Sequence, residues 1–265
     1  MSSLIITTIQ SDLKWEDKDL NLSMFENKIK SIQDKTQVVI LPEMFTTGFS
    51  MNPALLAEDM HGETMNWIKR VSMENKIILT GSIIVKENDS YFNRLIWMLP
   101  NGEYCFYDKR HLFAFAEEHK YYQSGNKRLI TSVNGWKINL QICYDLRFPV
   151  WGRQQVVNQN NEAEYDLLIY VANWPKKRRN AWKTLLCARA IENQCYVIGV
   201  NRVGLDNNSQ EYSGDSMIIN PMGEIDYHKE NVEDVYTTVL NKNNLSEIRN
   251  NFPFLSDADS FNIYT

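Results

Sequence analysis

The sequence predicts a layered α/β domain, on three observations. Strand-like and helix-like segments alternate along the whole chain. About a dozen strands mix with four or five helices, the composition of a layered α/β architecture rather than of a bundle or a barrel. No repeat, low-complexity stretch or Pro/Gly/Ser-rich linker interrupts them, so residues 1–265 are expected to form a single domain. At 265 residues and 43% hydrophobic content, the chain can bury one sizeable core, or at most two small ones.

The elements follow in order. Leu4–Gln10 is a first strand. Leu22, Phe25, Ile29 and Ile32 recur at helical spacing. Val38–Leu41 is a short buried strand, and Met65, Ile68 and Val71 mark a second helix. Ile77–Val85 and Phe92–Leu99 are strands. Pro100-Asn101-Gly102 is a turn joining the second of these to Tyr104–Tyr107. After an Asn134-Gly135 turn, Trp136–Cys143 sets Ile138, Leu140 and Ile142 against Lys137, Asn139 and Gln141, the period of a half-buried strand. Leu167–Val171 is a buried strand ended by Asn173-Trp174-Pro175. Asn180 is expected to cap a helix running to Asn193. Tyr196–Val200, Ser216–Ile219 and Tyr236–Leu240 complete the strands.

Composition narrows the function classes. A net charge of −5 gives no electrostatic case for nucleic acid. No apolar run approaches the roughly 20 residues of a membrane span. The N-terminus enters a strand pattern directly, without a basic n-region. Cys105, Cys143, Cys187 and Cys195 show no CxxC spacing, which fits a reduced, cytoplasmic protein. The four histidines form no HxH or HxxxH pair, so a His/Cys metal site is not expected.

Three strand ends carry reactive groups. Val38–Pro42 runs into Glu43, Tyr104–Asp108 into Lys109, and Trp136–Ile142 into Cys143. Ligands gather at strand ends in open α/β sheets, so the three side chains converge if their strands are neighbours. A strand-end cysteine alone reads as a buried, inert thiol. An acid and an ammonium in matching contexts turn it into a candidate nucleophile. Lys109 would raise the thiolate fraction. Glu43 could take the thiol proton and later activate water. Lys109 and the backbone N–H of Tyr144 could stabilise an oxyanion. That set fits acyl transfer through a thioester without a histidine.

The same residues resemble the nitrilase superfamily of carbon–nitrogen hydrolases, and within it the bacterial omega-amidases. The resemblance rests on Leu41-Pro-Glu43-Met-Phe-Thr-Thr-Gly-Phe49, Tyr107-Asp-Lys109-Arg-His-Leu-Phe113 and Cys143-Tyr-Asp-Leu-Arg-Phe-Pro-Val-Trp151. Tyr170–Pro175, Ala188–Gln194, Asn201–Gly204 and Tyr212–Ser216 extend it across nearly the whole chain. It implies a four-layer α-β-β-α sandwich, often paired as a homodimer. It implies Glu43 as general base, Lys109 as oxyanion stabiliser and Cys143 as nucleophile. A second glutamate, Glu118, would orient the lysine and the substrate amide; the adjacent Glu117 is the competing assignment. The expected activity is hydrolysis of the terminal carboxamide of alpha-keto acid monoamides such as 2-oxoglutaramate or 2-oxosuccinamate. The alternatives are the same chemistry on an N-carbamoyl amino acid, an aliphatic amide or a nitrile, or a non-catalytic scaffold.

Recognition of the substrate's far end is less sharply written. Arg147 could bind a carboxylate in bidentate fashion, or pair structurally with Asp145. Tyr144, Phe115, Trp174 and Phe45 are candidates for the pocket wall or for ordinary core. Lys176-Lys-Arg-Arg179 reads as a solvated basic loop, with a minor role in drawing anionic substrates.

Overall fold

Hydrophobic alternation becomes strand and helical spacing becomes helix in the order the sequence sets. The structure, a computed structural model, describes residues 3–155 and 162–264. The first half runs β1 (Ser3–Gln10), α1 (Lys18–Lys30), β2 (Val38–Ile40), α2 (Pro53–Leu56), α3 (Glu63–Asn75), β3 (Ile78–Glu87), β4 (Ser90–Met98), β5 (Tyr104–Asp108) and α4 (Glu118–Tyr121). The second runs β6 (Leu129–Val133), β7 (Trp136–Ile142), α5 (Pro149–Gly152), β8 (Leu167–Val171), α6 (Arg179–Asn193), β9 (Tyr196–Val200), β10 (Val203–Leu205), β11 (Glu211–Ile219), β12 (Ile225–Glu230), β13 (Asp234–Asn241) and α7 (Lys242–Asn251).

The strands form two sheets. The first has the order β13-β1-β2-β3-β4-β5, and the second β10-β11-β9-β8-β7-β6 with β12 against β11. Each has a parallel centre, β1-β2-β3 in one and β7-β8-β9 in the other. β4 is antiparallel to β3 and β5 to β4, so β5 points the same way as β2. The strand period then sorts side chains into layers. Val38, Ile40, Leu95 and Trp97 face inward and pack with Ile138, Leu140 and Ile142 of the second sheet. Val39, Ile96 and Met98 face outward, against Phe25 and Ile29 of α1 and Ile68 and Val71 of α3. Trp182, Leu186 and Ala190 place α6 on the second sheet. The result is the expected four-layer α-β-β-α sandwich.

The turns are where predicted. Asn134 (φ +49°) and Gly135 (φ +79°) make the two-residue link of the β6–β7 hairpin, both in the left-handed region such a turn requires. The expected Asn180 cap is not formed. Lys176–Arg178 make a 3₁₀ turn that leads the chain into helix two residues earlier, so α6 begins at Arg179 and Asn180 lies in its first turn. Strands β6, β10 and β12 and helices α2, α4, α5 and α7 add to the predicted elements. β12 is largely exposed, and Leu245 is the only buried residue of α7, so neither carries a strong apolar period. Among the described residues no helix is long and apolar enough to cross a membrane.

α6 seats closely because β9 offers it a glycine. A Cβ on Gly199 would lie 2.5 Å from Leu186 Cδ1 and 2.7 Å from Trp182 Cζ2. Gly199→Val is expected to lower the unfolding free energy by about 1–3 kcal/mol, the range of core overpacking. The check is a lower urea midpoint at an unchanged slope.

Candidate active site

The strand-end residues meet, but not along one sheet. Glu43 and Lys109 leave the first sheet after β2 and β5, which are separated by β3 and β4. Cys143 leaves the second sheet after β7. Convergence therefore occurs across the two facing sheets rather than between neighbouring strands.

Lys109 is the centre of the cluster. Its Nζ donates to Glu43 Oε1 at 2.9 Å and to both Glu118 oxygens at 3.0 Å. All three side chains are buried. Burial pulls the ammonium toward neutrality, but Glu118 and then Glu43 outweigh it and hold Lys109 charged, far above the ordinary lysine range. Glu118 is fixed from a second side by the Phe113 N–H, at 2.5 Å. Burial raises its carboxyl above the ordinary range, with Lys109 opposing. Glu117, in contrast, is exposed and pairs with Lys120 at the surface. The structure therefore puts Glu118, not Glu117, beside the lysine.

Glu43 is held by groups that sequence reasoning missed. Asn93 Nδ2 donates to Oε1 at 2.8 Å and the Asn173 N–H to Oε2 at 2.7 Å. The Asn173 side chain also donates to the Glu43 carbonyl, joining the end of β8 to the end of β2. Asn173 follows a buried strand by two residues, so the strand-end rule that singled out Glu43 could have found it. Asn93 sits inside β4 and carries no such signal.

Cys143 occupies a strained elbow. Its φ of +43° lies in the left-handed region, uncommon for a residue with a Cβ. Asp145 holds the elbow: its carboxylate accepts from the Ile142 N–H at 3.1 Å, the Tyr107 hydroxyl at 2.7 Å and the His111 N–H at 2.9 Å. Trp151 Nε1 donates to the same Tyr107 oxygen at 2.9 Å. Lys109 acts on the thiol in the expected direction, toward thiolate, but it does not decide the thiol's state. Burial and then the Glu43 charge push the thiol well above the ordinary range, and Lys109 only partly opposes them. The lysine is already neutralised by two carboxylates.

Cys143 and Lys109 open into a cavity of about 480 Å³. The predicted wall residues Tyr144, Arg147, Trp174 and Phe115 all line it. Phe115 is 85% exposed, so it stands at the mouth. Phe45 does not line it; the ring is core, edge-on to Phe25 at 5.5 Å. Phe49 takes the site position instead, its ring 5.0 Å from Lys109 Nζ. The Arg147–Asp145 pair is not formed, because Asp145 is engaged at the elbow; Arg147 lies 4.9 Å over the Trp174 ring. Nor is the basic run a solvated loop. Lys176 pairs with Glu211, Arg179 with Asp215 and Glu230, and Arg178 lines the cavity.

One further cluster of ligand-type groups exists among the described residues, at Asp215, His228 and Glu230. Arg179 bridges the two carboxylates there, so a cation already fills the place a metal would take.

Comparison with known proteins agrees with this geometry. The carbon-nitrogen hydrolase family model matches residues 5–250. An omega-amidase, YafV, of Yersinia enterocolitica is 43% identical over 98% of this chain and 99% of its own. A 2-oxoglutaramate amidase of Bacillus subtilis is 31% identical over 95% of this chain and 96% of its own. A CN-hydrolase superfamily protein of Xanthomonas campestris, solved with an arsenic adduct in its active site, is 43% identical and superposes with a TM-score of 0.96 over 100% of both chains. With the family model spanning nearly all of it, and with full-length relatives at this identity, the chain belongs to the carbon-nitrogen hydrolase family and is a hydrolase of amide C–N bonds.

Proposed function

We propose that the chain is an omega-amidase that hydrolyses the terminal carboxamide of alpha-keto acid monoamides, 2-oxoglutaramate or 2-oxosuccinamate, to the keto acid and ammonia. The observation that carries the reading is the buried Glu43–Lys109–Glu118 cluster opening with Cys143 into a cavity that also holds free arginines. The omega-amidase and 2-oxoglutaramate amidase relatives support the substrate class.

In this mechanism Glu43 takes the Cys143 proton as Sγ bonds to the amide carbon. The proton moves within the cluster, so the buried site gains no net charge. Lys109 and the Tyr144 N–H stabilise the oxyanion; as an early donor of the 143–147 turn, that N–H has no partner within the turn. The C–N bond breaks as Glu43 returns the proton to nitrogen, and ammonia leaves a thioester. Glu43 then takes a proton from water, the hydroxide attacks the thioester, and the proton goes back to sulfur as the keto acid departs. Glu118 keeps Lys109 charged and in place. Tyr144, Arg147, Phe115 and Trp174 would bind the substrate.

The reading extends to the rest of the molecule. Residues 1–265 form one catalytic domain that works in the cytoplasm on a small-molecule substrate, with no nucleic-acid or membrane partner and no cofactor. It is a homodimer. The exposed apolar side chains of Val150, Ile191, Phe252 and Phe254 support pairing. Val150 and Phe254 share a shallow depression, the Phe252 and Phe254 rings lie tilted to each other at 5.7 Å, and Gln194 ties the Phe252 carbonyl to the end of α6, where Ile191 is exposed.

Three outcomes are expected. Ammonia release from 2-oxoglutaramate should fall at least about 10³-fold in Cys143→Ala, as for removal of a covalent nucleophile. Carbon dioxide release from carbamoyl amino acids at a higher kcat/KM than ammonia release from keto-acid amides would replace the substrate class. Second, the difference in 240 nm absorbance between wild type and Cys143→Ala should show no thiolate step near the ordinary thiol value of about pH 8.5. The raised thiol value places that step at higher pH, and a step at neutral pH would overturn the proton route. Third, Ile191→Asp should shift the sedimentation coefficient from dimer to monomer, since a charge placed in an apolar interface is costly; an unchanged dimer would move the interface elsewhere.

A further inference from the structure

The chain has eleven arginines. Nine of them donate a hydrogen bond to a protein acceptor. Arg147 and Arg178 are the two whose guanidinium groups donate none among the described residues. Both line the cavity above Cys143. They reach it from different strand ends, Arg147 from the turn after β7 and Arg178 from the turn after β8.

Each is held by an aromatic face rather than by an anion. Arg147 lies 4.9 Å over Trp174 and Arg178 lies 5.0 Å over Phe113. The rings fix the guanidinium planes and cover one side of each, while leaving the hydrogen-bonding edges unused. The supports are themselves tied to the rest of the site. Trp174 Nε1 donates to the Arg178 carbonyl at 2.8 Å, so the ring that backs one arginine fixes the turn carrying the other. Phe113 donates its N–H to Glu118.

The cavity wall also contains two carboxylates, and neither forms an ion pair with these arginines. Asp206 accepts from the Tyr212 hydroxyl and from the Asn208 and Gln210 N–H groups. Glu16 accepts from the Ser50 hydroxyl. Burial, with Arg147 nearby, pulls the Arg178 guanidinium below its ordinary range. An anion between the two would reverse that effect.

We propose that Arg178 is a specificity-determining residue that joins Arg147 in a clamp on the carboxylate of the substrate. A carboxylate with an adjacent keto oxygen presents acceptors to both planar forks at once. A neutral aliphatic amide of equal length offers neither fork a charge-assisted acceptor. The identity of the anion rests on the keto-acid amide reading; the clamp itself rests on the two unpartnered arginines.

The test has a turnover arm and a binding arm. In Arg178→Gln, KM for 2-oxoglutaramate should rise about 10–100-fold, the worth of hydrogen bonds to a charged group. The preference for 2-oxoglutaramate over neutral pentanamide should collapse by a similar factor, and Arg178→Lys should recover part of it. In the Cys143→Ala background, the Kd for 2-oxoglutarate by calorimetry should weaken at least about tenfold on adding Arg178→Gln. A Kd within twofold of the parent, or no binding by the parent, overturns the clamp whatever the turnover shows. A parent that binds 2-oxoglutarate through Arg178 while wild type releases no ammonia from 2-oxoglutaramate keeps the clamp and overturns the omega-amidase reading instead.

Discussion

The site is organised around one buried ammonium. Lys109 has almost no contact with water and lies between two carboxylates that have none. An isolated charge in such a place would lose its proton rather than accept the cost of desolvation. Two acids make the charged form the stable one, and removing either would leave the others poorly compensated, at a cost of about 3–5 kcal/mol for a broken buried pair. The three groups come from separate parts of the chain: the end of β2, the end of β5 and the start of α4. The cluster can therefore exist only when β2 to β5 of the first sheet are assembled. Asn93, reaching from β4 to Glu43, adds one of the two strands that lie between them.

The cysteine is positioned by the same part of the first sheet. Tyr107 stands two residues before Lys109 on β5, and its hydroxyl donates to Asp145, two residues after Cys143. The His111 N–H, two residues after Lys109, donates to the same carboxylate. The segment that delivers the ammonium thus also holds the elbow that delivers the thiol. Left-handed backbone at Cys143 costs of order 1–3 kcal/mol and persists only where the surroundings over-determine it. Here they do so through buried hydrogen bonds to Asp145. Asn173 joins the sheets a second time, through both its backbone and its side chain, at Glu43.

This explains what could be read from the sequence. Leu4–Gln10, Leu167–Val171 and Tyr196–Val200 are legible as strands because tertiary packing buries the residues that propensity favours. Glu43, Lys109 and Cys143 are legible because each breaks an apolar run at its end. β12 and α7 are not, because they lie at the surface and bury little. Asn93 is invisible because an amide inside an apolar strand is not distinguished from one that faces solvent. Arg178 is hidden for the opposite reason. It sits among Lys176, Lys177 and Arg179, and a basic run carries no mark showing which member turns inward. Only their surroundings separate them: Glu211 pairs with Lys176, Asp215 and Glu230 pair with Arg179, Lys177 is exposed, and Arg178 lines the cavity.

The charges of the two ends of the cavity then explain each other. Two carboxylates against one ammonium leave the buried cluster with one negative charge, and the thiol beside it stays neutral. A neutral thiol suits proton transfer to Glu43, since nothing charged has to be created in a dry site. The same negative cluster would repel an anionic keto-acid amide approaching within a few ångströms, where screening by water and salt is weak. Arg147 and Arg178 put two positive charges in the wall of the same cavity, on turns that follow strands of the second sheet. In the proposed clamp an anionic end would go to the arginines and a neutral carboxamide would face Cys143. The separation would set the direction of binding: the charged end of the substrate goes to the arginines and its neutral end to the thiol.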